Sequence, residues 1–179
     1  RTTNVQRTAG KRWHWSQEQI SNWSHCSTAT LLLASFLTGE ERVRARMTMG
    51  HQYMGVTEAM GVGEVRGSLD ATPEALALNK EVHLTVDKIL YGATQTFTSS
   101  IAIPMSSDKN NRQNTQSAYQ EYLNKSEQGQ CSRIALLDGA EIATHHHEKT
   151  LATEDTPGNG WSGGIMISSL GHVGTSKEN

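Results

Sequence analysis

One cysteine, a run of three histidines and a few carboxylate and amide side chains are the residues whose types and order could do chemistry here. Cys26 lies early, in WSHCSTA; His145, His146 and His147 come late, with Asp155 and Asn159 beyond them. A thiol in a helix's first turn faces unpaired backbone amides and the positive end of the dipole, and both lower its pKa. Such a nucleophile needs a base, which the late histidine run could supply on folding. On an extended strand His146 shares a face with Ile142 and turns toward the core, so it is the preferred base. Asp155 or Asn159 would orient its ring, and Gln19 would join the Cys26 amide in holding a developing oxyanion. This predicts acyl or amide hydrolysis, the work of a hydrolase such as a thiol protease.

The order Cys, His, then Asp or Asn, with the cysteine opening a helix and the histidine on a late strand, resembles the papain-like cysteine hydrolases. Asn159-Gly160-Trp161 is similar to that family's Asn-Ser-Trp segment, whereas Gln19 stands one residue further from the cysteine than the family's glutamine. WSHCSTA also lacks the family's CWAF context. Ser162, in GNGWSGG, is similar to the nucleophile segment of chymotrypsin-like proteases, with His25 and Asp70 before it in the required order. His25, however, precedes a helix where that family has a strand before its histidine.

The competing class is a non-catalytic binding or assembly protein, with a late hairpin as its interface and a peptide or protein as its partner. A metal site would use His145 and His147, which share a face of a regular strand, completed by Glu154 or His172. Gly139 stands six residues before His145, as in the first cupin motif, but positions 151 and 152 are Leu and Ala where that motif needs a glutamate. No P-loop, dinucleotide fingerprint, EF-hand loop or zinc-finger spacing appears, and the sequence leaves any cofactor unknown. Cys26 and Cys131 are the only cysteines, enough for one bridge in an oxidising compartment or two thiols in a reducing one.

The elements that would position these groups read as one α+β domain over 1–179, with helices mainly N-terminal and an antiparallel sheet mainly C-terminal. Residues 1–15 form a basic arm with Arg1, Arg7, Lys11 and Arg12 and no acid. Ser24 can cap a helix in which Ala29, Leu32, Leu33, Phe36 and Leu37 keep helical spacing up to Gly39. Glu40 and Glu41 open a second short helix toward Gly50, and the glycines from 50 to 67 break the next stretch into turns. Thr72-Pro73 starts a third, with Val82, Val86, Ile89 and Leu90 along one face. Phe97, Ile101 and Ile103 mark a strand, 106–116 a polar connector, and Ser117 a cap for a short helix. Residues 132–147 read as a hairpin about Asp138-Gly139, and GIMISSL as a last strand.

With 179 residues the chain can build a core without metal or disulfide staples. Sixteen basic against eighteen acidic residues leave a net charge of -2, without the footprint of a general nucleic-acid binder. No apolar run approaches a membrane span. The first residue is Arg rather than Met, as expected of a processed or excised piece.

Overall fold

Alternation of side chains decides the architecture. In RVRARMTM, Val43, Ala45 and Met47 point to one side and Arg42, Arg44 and Arg46 to the other, and the segment is a strand. The computed structural model describes residues 3–15, 17–49, 52–69, 82–103, 111–125, 132–138 and 162–168. It contains helices α1 (Thr3–Trp13), α2 (Gln17–Ala34) and α3 (Asn111–Lys125), and strands β1 (Arg42–Met49), β2 (Gln52–Met60), β3 (Val65–Leu69), β4 (Val82–Ile89), β5 (Phe97–Ile103), β6 (Ser132–Asp138) and β7 (Ser162–Ser168). The fold is mixed α+β, as expected from the sequence.

Five strands form an antiparallel sheet in the order β3-β2-β1-β4-β5, and β6 pairs with β7 in a second, antiparallel sheet of two strands. The sheet therefore begins at Arg42, far earlier than expected. The stretch after Glu40 is not a helix: charged and apolar residues alternate with period two, which suits a sheet with one covered face. The same holds for VHLTVDKI, where Leu84 and Val86 alternate with Thr85 and Asp87. Gly55 and Gly67 lie inside β2 and β3, while Gly63, at φ 92, makes the turn between them. The 117 cap is displaced too, because α3 begins at Asn111 and takes in part of the expected connector.

Helix α2 runs through the centre, packed on the five-stranded sheet, on α3 and on the β6–β7 pair. Ala29 and Leu33 join Val43, Ala45, Ala59, Leu84, Val86 and Ile101 of the sheet and Tyr119, Tyr122 and Leu123 of α3 in one core. A helix rich in serine and threonine can be buried here because its hydroxyls bond back to its own carbonyls. Ser27 donates to the Trp23 carbonyl at 2.7 Å and Thr30 to that of Cys26 at 2.7 Å. The basic N-terminal segment forms α1, which packs against α2, with Trp15 tilted onto Trp23 at 5.6 Å between centroids. Strand β6 ends at Asp138, paired with Ser162 of β7; the 139–147 part of the expected hairpin lies outside the described residues.

Candidate functional site

Cys26 lies in the middle of α2, because the helix starts at Gln17 rather than at Ser24. It gains nothing from the amides or dipole of a first turn, and its side chain is only 3% exposed. Burial pushes the thiol up to about 12, with hydrogen bonding from Thr115 opposing the shift. Its Sγ meets Met47 Sδ at 3.9 Å, and the void beside it, lined by Trp23, Met47 and Tyr119 among others, measures about 10 Å³, too small for a substrate. The first-turn, activated nucleophile is thus corrected to a protonated core thiol, free of any disulfide.

Gln19 is half-buried on the same helix, two turns away and about 10 Å along the axis. The structure does not bring it to the thiol as an oxyanion donor. His145, His146, His147, Asp155 and Asn159 lie outside the described residues, as does Cys131, so neither the base and its orienting group nor the metal pair is placed. His25, the histidine of the serine-protease alternative, is buried within α2. Among the described residues no group of three or more metal-ligating side chains occurs, and no helix is long and apolar enough to cross a membrane.

What surrounds Cys26 is a hydroxyl network that ties three elements together. Thr30 Oγ1 lies 2.6 Å from Thr57 Oγ1 on β2 and 3.0 Å from the Tyr119 hydroxyl on α3. Since Thr30 spends its own proton on the Cys26 carbonyl, it accepts from both neighbours.

The outer face of the sheet carries the arginines of the segment expected as a short helix toward Gly50. Glu58 of β2 is 8% exposed and accepts from Arg44 Nε at 2.8 Å, from Arg66 Nη2 at 2.6 Å and from Arg42 Nη1 at 3.4 Å. Asp87 of β4, 7% exposed, accepts from Arg46 at 2.8 Å and from the Thr98 hydroxyl at 2.8 Å. Burial pushes the Glu58 carboxyl up, but the hydrogen bonds and charges of Arg44 and Arg66 outweigh it and hold the group below its usual value. A depressed carboxyl adds stability that is complete above its unfolded pKa and is lost as pH falls through the lower folded value. Acid unfolding of wild type is therefore expected to steepen below about pH 4.5. Glu58→Gln should flatten that slope in urea titrations at stepped pH; an unchanged slope would contradict this assignment.

A third feature lies at one end of the sheet. Val62 on the β2–β3 turn, Tyr91 on the β4–β5 turn, Phe97 at the start of β5 and Phe36 just past α2 are all exposed, Tyr91 at 89%. Glu41 joins these pieces: its carbonyl accepts from Gly61 at 3.3 Å, and its carboxylate accepts from the Tyr91 amide at 3.3 Å and the Thr38 amide at 2.9 Å. Phe36, in helical spacing with Ala29 and Leu33, is exposed past the end of α2, and these four residues reach one end of the sheet only through the strand order.

The family model of the Hsp33 protein matches residues 1–171. This chain belongs to the Hsp33 family. Its fold is also similar to the crystal structure of the 33 kDa chaperonin, heat shock protein 33 homolog, from Thermotoga maritima, with a TM-score of 0.55 and 18% identity. That match covers 88% of this chain and 50% of the other, so this chain spans about half the length of the Thermotoga Hsp33. No curated protein matches it. Membership of the Hsp33 family overturns the expectation of a cysteine hydrolase or thiol protease, in agreement with the closed surroundings of Cys26.

Proposed function

We propose that this chain acts as a chaperone, binding unfolded polypeptide through the apolar group at the end of the sheet. The observation that carries the reading is that Phe36, Val62, Tyr91 and Phe97 are each exposed at the same end of the sheet in a chain of the Hsp33 family. Exposed apolar side chains grouped on one surface mark an interaction site, and unfolded chains offer the complementary apolar segments. The arrangement suits a binder without sequence preference, since it rests on area and not on a donor pattern. Ile165 and Ile167, exposed on β7, add apolar surface of the same kind.

Light scattering from a thermally unfolded model enzyme tests the proposal. Wild-type chain is expected to suppress aggregation at near-stoichiometric amounts. Tyr91→Ser with Phe97→Ser should weaken this by about tenfold or more in the concentration required, since each buried aromatic contributes about 1.5 kcal/mol or more. Both positions are exposed, so the melting temperature should hold. Equal suppression by the variant would count against this surface.

A further inference from the structure

We infer that the outer face of the sheet holds a binding site for a phosphate-type dianion, in the depression lined by Arg44, Arg46, Arg66 and Ser68. This is independent of the chaperone proposal and uses the opposite face of the sheet from the core. The depression measures about 480 Å³. Its charge is layered: the carboxylates of Glu58 and Asp87 lie beneath, at 8% and 7% exposure, while the Arg66 side chain above them is 73% exposed and those of Arg44 and Arg46 are a little under half exposed. Solvent therefore meets guanidinium groups rather than the carboxylates.

The charge is also unbalanced. Arg42, Arg44, Arg46 and Arg66 face Glu58 and Asp87, four positive charges against two negative, in a chain whose net charge is -2. Glu58 alone gathers three arginines, which leaves two positive charges over it. The buried carboxylates fix the forks: Arg66 commits Nε and Nη2 to Glu58, and Arg44 does the same, which leaves the Nη1 edge of each for another acceptor. With the Ser68 hydroxyl on the same rim, the surface offers donors, and a ligand made of acceptors answers it. An excess of two charges matches a phosphate dianion better than a single carboxylate. The chemistry is shared by free phosphate and by a linear phosphate chain, and the test separates them.

Isothermal titration calorimetry of the full chain with inorganic phosphate and with tripolyphosphate, each at pH 7.5 and low salt, reads the site. Saturable binding of inorganic phosphate assigns the site to the free ion; saturable binding of tripolyphosphate alone assigns it to a phosphate chain. Arg66→Gln, at the most exposed arginine, should weaken the observed binding about tenfold with an unchanged melting curve. Absence of heat with both probes would overturn the inference. So would wild-type affinity in Arg66→Gln, or displacement by polyglutamate at equal charge concentration, which would mark a nonspecific basic surface.

Discussion

Folded chain at pH 8 is expected to alkylate at Cys26 about a thousandfold more slowly with iodoacetamide than chain unfolded in guanidinium. The thiolate is the reacting species, and a thiol pushed up to about 12 against an ordinary value near 8.5 holds roughly three decades less of it. Steric closure acts in the same direction, since the neighbouring void is about 10 Å³. Peptide-level mass spectrometry separates Cys26 from Cys131, and a folded rate within tenfold of the unfolded one would contradict the buried placement. The raised thiol has a thermodynamic counterpart. A group that holds its proton more tightly when folded contributes stability that is complete below its unfolded pKa and is lost as pH rises. Tyr119, whose hydroxyl burial also pushes upward, adds to that loss at still higher pH.

The second large effect falls on the hydroxyl network. Thr30→Val keeps the shape of the side chain but deletes the oxygen that serves Cys26, Thr57 and Tyr119. The Thr57 hydroxyl then lacks its Thr30 acceptor inside the core, and Tyr119 keeps only the longer contact to the Cys26 carbonyl at 3.4 Å, at about 1–3 kcal/mol for an unsatisfied group. A loss of about 3 kcal/mol is expected, read as a lower urea midpoint with an unchanged slope. Thr30→Ser retains the oxygen and gives up one methyl, so it should cost only about 1 kcal/mol. Equal losses in the two variants would show that packing, and not the hydroxyl, holds α2 to β2 and α3.

How much of this was legible in the sequence differs from element to element. The α+β class and the strand at Phe97–Ile103 follow from local pattern. Strand β1 was equally legible, because Arg42, Arg44 and Arg46 recur at every second residue, yet the acids before them suggest a helix start that tertiary pairing overrides. Helix α2 extends beyond its apolar stripe, since Ser24, expected as the cap, lies inside it and the fold buries Ser21, Ser24, Ser27 and Thr28. That hidden length moved Cys26 from a first turn to mid-helix and removed the physical basis for activating it. Pairing of β6 with β7 spans a sequence separation that no turn signal encodes. Glu58 gave no sign of its role, because its arginines come from β1 on one side and β3 on the other.

On the proposed function, unfolded polypeptide docks on the apolar end of the sheet. Amide hydrogen exchange of the chain, with and without saturating amounts of a permanently unfolded, reduced and carboxymethylated protein, measures this most directly. Slowed exchange is expected around Phe36, Val62, Tyr91 and Phe97, with the strand centres near Ala45 and Val86 unchanged because the core already protects them. Protection confined to other segments, or none at concentrations that suppress aggregation, would contradict it.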